Sequence, residues 1–218
     1  MPGGYTNRTR RTGTGLVEKA FDGPDSSERL EREVGCLTGL SDKLPLPFVV
    51  GFDRNALTVM MRESRGTHGQ TMIDDGHAAV VLRLLGALHR LLRSIEPSAL
   101  SILPGIGDVI VHGDFGPQNV LIDNGEITAL LDWEFAHIGS HVEDLAWAEW
   151  IVRMHHADHR DEIPTLYLWA EVSPPWTDRH AVMLNKCREM LLRVEHSGPS
   201  DAVELWQARL RKTERWTE

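Results

Sequence analysis

The first third of the chain contains short stretches in which apolar and polar residues alternate, a pattern typical of strands in a half-buried sheet. Residues 8–12 and 16–21 predict two strands on either side of a glycine turn, and residues 49–61 predict two more. Residues 63–70 are polar and contain glycine, which indicates a hinge between lobes. We therefore expect a small β-rich N-terminal lobe in residues 1–62.

One helix interrupts these strands. Asp25 and Glu28 have the spacing of a capping box with Asp25 as the N-cap, and an apolar stripe at helical spacing follows. Glu33 falls on that stripe, where burying an unpaired carboxylate would cost several kcal/mol. Lys19, on the strand just before, is the nearest inward-pointing cation. The alternative is that both side chains simply reach solvent.

The rest of the chain predicts a larger, mainly helical lobe in residues 71–218. Residues 75–95 carry apolar side chains around much of a helix, so this helix should be buried over much of its circumference. His89 lies within that apolar surface, and we interpret it as a core residue rather than a catalyst. Residues 178–196 and 201–216 predict the two main C-terminal helices.

A polar run, residues 112–119, follows the short apolar strand 109–111 and leads into a hairpin. The dipeptide Asn124-Gly125 between two alternating segments is a strong hairpin signal and predicts a type I′ turn. A buried strand that ends in a polar loop is a common location for catalytic residues.

That turn also predicts a register, in which Asn119 lies opposite Leu130 and Asp132 lies two residues further on the same face. Asn119 and Asp132 are then diagonal neighbours, about 7–8 Å apart at the backbone. A carboxylate and an amide oxygen that converge in this way can hold Mg²⁺, with water and phosphates as the other ligands. Asp114 lies in the loop that enters the hairpin, where it is free to act as a base.

Composition narrows the function further. The 218 residues are 41% hydrophobic and 25% charged, as in ordinary globular proteins, and the net charge is −9. A chain with this charge offers no net positive field for a nucleic-acid partner. Two cysteines do not make a disulfide framework, and no signal peptide or membrane-spanning stretch is visible. We expect a cytoplasmic protein with no membrane or nucleic-acid partner.

Three other features invite a functional interpretation, and for each we favour a structural one. Asp144 opens a predicted helix, residues 142–154, where a carboxylate can cap the N-terminus or brace the catalytic loop. The histidine-rich stretch 155–159 could suggest zinc, but an exposed helix end is the better interpretation. Most of the seven tryptophans should pack helices rather than line a substrate cleft.

The motifs at the polar run carry a family resemblance. Asp114 and Asn119 have the spacing of the protein-kinase catalytic loop, and Asp132 follows after a hairpin as the metal-binding Asp does there. With a His-Gly-Asp motif ending at Asp114 and Leu-Asp-Trp-Glu around Asp132, the chain resembles the aminoglycoside phosphotransferase and choline kinase family of small-molecule kinases. The resemblance spans roughly residues 3–150 and is most specific in residues 112–133.

The resemblance implies an α+β, two-lobed protein-kinase-like fold, with a small β-rich N-lobe, a larger mainly helical C-lobe and a catalytic β-hairpin. It implies transfer of the γ-phosphoryl group of ATP or GTP to a hydroxyl of a small molecule. Asp114 would accept the hydroxyl proton, and Asn119 and Asp132 would hold Mg²⁺. Lys19, oriented by Glu33, would hold the α and β phosphates. The remaining nucleotide-contact candidates lie in the N-terminal loop and the hinge strand, and they are Thr6, Asn7, Met61 and Glu63.

The acceptor is less constrained by sequence. Residues 134–218 contain 15 acidic and 10 basic residues, which favours a cationic acceptor such as an aminoglycoside or a choline-like alcohol. The candidate acceptor contacts are Glu149, Asp158, Asp161 and Glu162.

Alternatives to this function remain. They are a kinase of another small alcohol or sugar, of the choline or homoserine type, a catalytically weak nucleotide-binding module, and a metal-dependent hydrolase built around residues 112–114. A hydrolase would leave the spacing of Asp114, Asn119 and Asp132 unexplained.

Overall fold

The computed structural model describes residues 7–13 and 15–218, and the first part of the fold is a four-stranded antiparallel sheet with one helix against it. Its elements are β1 (Asn7–Thr12), β2 (Leu16–Phe21), α1 (Ser26–Gly39), β3 (Val49–Asp53) and β4 (Thr58–Arg62). The strands are hydrogen-bonded in the order β1-β2-β4-β3. The predicted strands of this lobe are confirmed. Thr6, one of the nucleotide-contact candidates, lies outside the described residues.

The capping box predicted at the start of α1 is wrong. Asp25 has φ 55° and ψ 25°, in the left-handed region, and its side chain makes no capping hydrogen bond. An N-cap side chain usually reaches the helix N–H groups from an extended backbone, which this conformation does not provide. Asp25 contributes its backbone carbonyl instead, which accepts a hydrogen bond from the Arg29 N–H at 2.9 Å.

The pleat of β2 directs Lys19 and Phe21 to the buried face of this sheet. Helix α1 covers that face with Leu30, Glu33 and Leu37, which recur at the three- and four-residue spacing of one helix side. The apolar stripe thus carries Glu33 into the interior together with the leucines.

The remainder of the chain is mainly helical. Its helices are α2 (Gly69–Asp74), α3 (Ala78–Arg93), α4 (Val142–His155), α5 (Ile163–Ala170), α6 (Trp176–Ser197) and α7 (Ser200–Glu214), with shorter 3₁₀ segments at Pro97–Ala99, Pro117–Asn119 and Ala157–Glu162. Its strands are β5 (Thr67–His68), β6 (Val109–Val111), β7 (Val120–Asp123), β8 (Glu126–Leu130) and β9 (His137–Gly139). In residues 7–13 and 15–218, no helix combines the length and the apolar character that crossing a bilayer requires.

Two small sheets frame the polar run between β6 and β7. Strand β7 pairs with both β5 and β8, and β6 pairs with β9. The run therefore starts from one sheet and enters the other, and both of its ends are fixed by backbone hydrogen bonds.

Helix α3 forms the centre of the main core and is shorter than the sequence indicates. It packs against α5, and a Cβ at Gly86 would lie only 2.3 Å from the Leu166 carbonyl oxygen, so the close approach requires glycine. Eight of its sixteen residues are buried, which confirms the expectation of burial over much of the circumference, although Leu91 is 44% exposed. His89 is buried, and burial lowers its pKa to about 3, as a neutral core residue requires.

A second core joins α4, α6 and α7. Three buried tryptophans stack in it: the rings of Trp147 and Trp150 are 4.4 Å apart and nearly parallel, and Trp206 of α7 stacks on Trp150 at 5.7 Å. The prediction that tryptophans pack the helices is confirmed for these three residues. Trp147 has a further contact in the site.

Candidate active site

The hairpin of β7 and β8 has the predicted turn but not the predicted register. Asn124 and Gly125 have φ values of 51° and 81°, as a type I′ turn requires. The pairing shifts by one residue at Thr128, so that Leu130 lies opposite Val120 rather than Asn119. Thr128 is the extra residue of a bulge, and its hydroxyl donates to the Leu121 carbonyl oxygen at 3.2 Å.

Asn119 and Asp132 nevertheless reach the same place by another route. The Leu131 N–H donates to the Asn119 carbonyl oxygen at 2.8 Å, just beyond the last pair of the hairpin. Asp132 then adopts φ 68°, in the left-handed region, which turns the chain out of the strand. Both side chains line one cavity of about 500 Å³ between the two lobes, together with Lys19 and Glu33.

The backbone of the catalytic-loop candidate is braced by helix α4. The two carboxylate oxygens of Asp144 accept hydrogen bonds from the N–H groups of His112, at 2.8 Å, and Gly113, at 3.0 Å. The interpretation of Asp144 as a residue that braces this loop is confirmed. Its position in the first turn of α4 also places a negative charge where the helix dipole favours one.

His112 is a neutral structural link in the same loop. Its Nε2 lies 2.8 Å from the Leu131 carbonyl oxygen and its Nδ1 accepts the Asp114 N–H at 3.2 Å, so Nε2 carries the proton. Burial lowers the pKa of His112 to about 4, which keeps the ring neutral. The ring therefore connects the loop that holds Asp114 to the residue before Asp132.

Each oxygen of the Asp114 carboxylate has its own hydrogen-bond donor. Asn119 Nδ2 donates to Oδ2 at 2.8 Å, and the indole Nε1 of Trp147 donates to Oδ1 at 2.8 Å. Burial and the charge of Asp132 raise the pKa of Asp114 to about 6, while these two bonds act in the opposite direction. Asp114 is thus ionised at neutral pH yet basic enough to accept a proton.

Sequence reasoning missed Trp147 as a site residue. A signal was available, because Trp147 lies three positions after Asp144 on a predicted helix, and residues with that spacing share a face. Because Asp144 contacts the loop, Trp147 on the same helix face is expected to lie next to the loop as well.

The predicted ion pair between Lys19 and Glu33 is confirmed. Lys19 Nζ lies 2.8 Å from Glu33 Oε2, and both side chains are buried. The same ammonium lies 2.7 Å from Asp132 Oδ1. Burial alone would lower the pKa of Lys19, but the charges of Glu33 and Asp132 outweigh it and raise that pKa. Burial likewise opposes ionisation of Asp132, and Lys19 holds the pKa of Asp132 below its usual range.

A second buried ion pair, which the sequence did not predict, lies one helical turn away. Arg29 Nη1 lies 2.7 Å from Glu134 Oε2, and Arg29 is four positions before Glu33 on α1. Asn7 completes this cluster, since its Nδ2 donates to Glu134 Oε2 at 2.9 Å and its Oδ1 accepts from Arg29 at 3.0 Å. Helix α1 is thereby bound to the segment around Asp132 at two points.

Three of the other predicted nucleotide contacts line two cavities that Lys19 also lines. Met61 and Glu63 line the 500 Å³ cavity, and Glu63 also pairs with Arg11 at 2.7 Å. Asn7 lines a neighbouring cavity of about 400 Å³ together with Lys19 and Asp114.

The four acidic residues predicted to contact an acceptor are not at the site. Glu149 is buried and paired with Arg153 and Arg179, each at 2.7 Å. The other three belong to the 3₁₀ segment Ala157–Glu162, and none of the four lines a cavity next to Asp114. The sequence shows the charge of these four side chains but not where they point.

A further cavity lies beside Gly113 and Trp147, the residues that precede Asp114 in the chain and donate to its carboxylate, respectively. Its volume is about 320 Å³, and it is also lined by Glu143, Lys186 and Glu189. Because Asp144 also lines it, the cavity combines three carboxylates with one ammonium. Burial raises the pKa of Asp114, and the charge of Lys186 acts in the opposite direction.

The histidine-rich stretch after α4 is only partly exposed. His156 is buried, and its Nδ1 lies 3.2 Å from Asp74 Oδ1. The expectation of an exposed helix end is therefore wrong at this residue.

The segment that contains Asp114, Asn119 and Asp132 is similar to known proteins. Residues 102–163 match the family model described as the phosphotransferase enzyme family. The hygromycin-B 4-O-kinase of Escherichia coli is 37% identical over 91 residues, which cover 40% of this chain and 24% of that protein. The chain therefore spans about a quarter of the length of this curated relative.

Solved structures extend the likeness to nearly the whole chain. The GDP complex of aminoglycoside 2′-phosphotransferase-IIIa has a TM-score of 0.79 at 13% identity, covering 98% of this chain and 91% of that one. Aminoglycoside phosphotransferase APH(4)-Ia has a TM-score of 0.70 at 18% identity, covering 99% and 92%. The macrolide 2′-phosphotransferase MphH of Brachybacterium faecium has a TM-score of 0.67 at 16% identity, covering 98% and 93%.

These likenesses confirm the α+β, two-lobed protein-kinase-like fold that the sequence resemblance implies. Residues 102–163 carry the signature of the phosphotransferase enzyme family, and the chain has the fold of the aminoglycoside phosphotransferases.

Proposed function

We propose that this chain transfers the γ-phosphoryl group of ATP or GTP to a hydroxyl of a small molecule. The observation that carries the proposal is the convergence of four side chains from both lobes. Lys19 pairs with Asp132 at 2.7 Å, and Asn119, which shares a cavity with them, bonds Asp114 at 2.8 Å. This arrangement supplies a base, a pair of cation ligands and a phosphate-binding ammonium for phosphoryl transfer.

The nucleotide occupies the 500 Å³ cavity between the lobes in this proposal. Lys19 holds the α and β phosphates, and Glu33 keeps the ammonium directed into the cavity through their 2.8 Å ion pair. Met61 and Glu63 border the base and ribose end of the same cavity. Asn7, the first residue of β1, is the proposed contact near the phosphates, and Thr6 stays a prediction from the resemblance. The corresponding lobes are residues 1–62 and 71–218, joined by residues 63–70.

The donor set at this cavity fits Mg²⁺. Asp132 offers a carboxylate, and Asn119 keeps its Oδ1 for a cation because its Nδ2 is used on Asp114. Hard cations of this size prefer such oxygens and leave their other positions to water and phosphate. Bound there, Mg²⁺ would neutralise negative charge on the β and γ phosphates.

Asp114 is the base. Its carboxylate takes the proton of the acceptor hydroxyl as the acceptor oxygen bonds to the γ-phosphorus. The bond from that phosphorus to the β–γ bridging oxygen breaks, and the nucleoside diphosphate leaves. Asp114 then returns its proton to solvent, which a pKa of about 6 favours at neutral pH.

The acceptor binds in this proposal in the 320 Å³ cavity beside Gly113 and Trp147, the two neighbours of Asp114 that line it. Glu143 and Glu189 replace the four acids predicted from sequence as partners for a cationic acceptor. The similar proteins named above include a hygromycin-B kinase and two aminoglycoside phosphotransferases, so an aminoglycoside is the first acceptor to test. Lys186 in the same cavity favours a second candidate, a kinase of a neutral or anionic small alcohol.

The test is an assay of nucleotide consumption with a panel of acceptors, run with ATP and with GTP. The panel contains hygromycin B, kanamycin, gentamicin, choline, homoserine and a neutral hexose, and mass spectrometry identifies the phosphorylated product. We expect one of the cationic compounds to gain a phosphoryl group and the Asp114→Ala variant to lose that activity. Turnover of only the hexose or homoserine would support the second candidate, and no transfer to any hydroxyl would contradict the kinase proposal.

A further inference from the structure

Helix α4 contacts the catalytic loop through two residues that lie three positions apart. Asp144 binds the backbone N–H groups of His112 and Gly113, and Trp147 binds the side chain of Asp114. The first contact fixes the course of the backbone, and the second acts on the carboxylate itself. One helix face thus orients both the loop and its base.

The contact from Trp147 completes the orientation of the Asp114 carboxylate. Asn119 Nδ2 engages Oδ2 at 2.8 Å and the Trp147 indole N–H engages Oδ1 at 2.8 Å. A carboxylate bound at one oxygen can still rotate about its Cβ–Cγ bond, whereas donors on both oxygens hold its plane. The remaining lone pairs then keep a fixed direction, as a base that must meet its acceptor in one geometry requires.

The indole itself cannot turn away easily, because it is held in the second core. The Trp147 ring stacks on the Trp150 ring with the two centroids 4.4 Å apart and an interplanar angle of 9°. The ring of Trp206, on α7, also stacks on Trp150, with a centroid distance of 5.7 Å. Trp150 makes a separate hydrogen bond from its Nε1 to Thr213 Oγ1 at 2.9 Å. The donor to Asp114 is therefore part of a rigid aromatic stack that reaches the C-terminal helix.

We propose that Trp147 is a positioning residue for phosphoryl transfer, which fixes the plane of the Asp114 carboxylate through its indole N–H. The expected effect on phosphoryl transfer rests on the proposed function. The hydrogen bond itself does not depend on that function. Packing alone would require the ring of Trp147 but not its N–H group.

The kinetic test is Trp147→Phe, which keeps an aromatic ring in the stack and removes the donor. With the acceptor found in the panel, kcat should fall about 10- to 100-fold, the factor that corresponds to one hydrogen bond to a charged group. The KM for ATP should stay unchanged, because Trp147 does not line the nucleotide cavity. A loss confined to kcat is not what a general loss of packing produces.

Trp150→Phe is the matched control. It also keeps a ring in the stack and also deletes one buried indole hydrogen bond, but that bond goes to Thr213 and not to the base. The two variants should have similar thermal unfolding midpoints, and Trp150→Phe should keep kcat within about threefold. Equal losses of kcat in both variants, or a wild-type kcat in Trp147→Phe, would overturn the positioning role.

A second measurement tests the contact without any substrate and without the Trp147 variant. In a ¹H–¹⁵N spectrum of the seven indole groups, Asp114→Ala should move one signal upfield, because a bond to a carboxylate deshields the proton. The other six signals should stay in place. If the wild-type chain phosphorylates no acceptor, the kinase proposal fails while this spectrum still decides whether the contact exists. Seven unmoved signals would overturn the inference.

Discussion

Lys19 Nζ lies 2.7 Å from Asp132 Oδ1, although the two residues are 113 positions apart in the chain. The pair joins a strand of the first lobe to the segment that leaves the catalytic hairpin. Glu33 holds the same ammonium from α1 at 2.8 Å. Three charged groups from three separate elements therefore meet at one point, and the position of each depends on the other two.

Removing the cation of this cluster should destabilise the fold strongly. Lys19→Met leaves the Glu33 and Asp132 carboxylates without their common partner, and breaking a buried pair typically costs about 3–5 kcal/mol of unfolding free energy. Urea unfolding measures this change. The control is Lys43→Met, whose pair with Asp42 is exposed and should contribute at most about 1 kcal/mol. Equal effects of the two substitutions would show that the cluster is not a buried ion pair.

The two proposed cation ligands should differ in their effect on nucleotide binding. Asp132→Ala should abolish the gain in ATP affinity that Mg²⁺ provides, and Asn119→Ala should weaken it less, because a charged oxygen binds a hard cation more tightly than an amide does. Calorimetric titrations of ATP with and without Mg²⁺ measure that gain. If both variants bind ATP·Mg²⁺ with wild-type affinity, the metal site is not at this hairpin.

A pH-dependent contribution to stability should come from His137 and Glu143. His137 Nε2 lies 2.9 Å from Glu143 Oε2 and Nδ1 lies 3.0 Å from the Phe135 carbonyl oxygen, so both ring nitrogens face acceptors and favour the imidazolium. The hydrogen bond to Glu143 outweighs burial and raises the pKa of His137, and the charge of Asp144 adds to the effect. On the other side of the pair, Lys186 helps to keep the pKa of Glu143 below its usual range.

The sign follows from the direction of each shift. A raised pKa of His137 stabilises the fold fully below the unfolded value of about 6.5, and this contribution is lost as the pH rises through the folded pKa. The lowered pKa of Glu143 adds stability above its unfolded value, which is lost as the pH falls through the folded pKa. An NMR titration of the imidazole should give a pKa above 6.5 that drops in Glu143→Gln. A value at or below 6.5 in the wild-type chain would contradict the pair.

Several local patterns predicted the structure, although the capping box at Asp25 did not. Asn124-Gly125 specified the turn of the hairpin, and the apolar stripe of α1 placed Glu33 inside, which required a cation such as Lys19. The family resemblance located Asp114 and its neighbours before any geometry was known. These features depend on residues that are close in sequence or on one helix face.

The sequence did not predict features that depend on irregular backbone conformation or on contacts between residues far apart in the chain. The bulge at Thr128 shifts the register by one residue, and the positive φ of Asp132 restores the convergence with Asn119, yet neither follows from alternation. Arg29 and Glu134 are 105 positions apart, so no local pattern connects them. The sequence favoured packing for most tryptophans and did not single out Trp147, whose ring packs in the core while its N–H group reaches Asp114.

The most direct test of the proposed chemistry is the rate of phosphoryl transfer by Asp114→Ala, measured together with its affinity for ATP·Mg²⁺. The acceptor is the one identified in the panel, and Asp123→Ala, an exposed carboxylate next to the hairpin turn, is the control. General-base catalysis predicts a fall in kcat of about 10²–10⁴-fold with nearly unchanged nucleotide affinity, while Asp123→Ala keeps the wild-type rate. Wild-type turnover in Asp114→Ala would contradict the account.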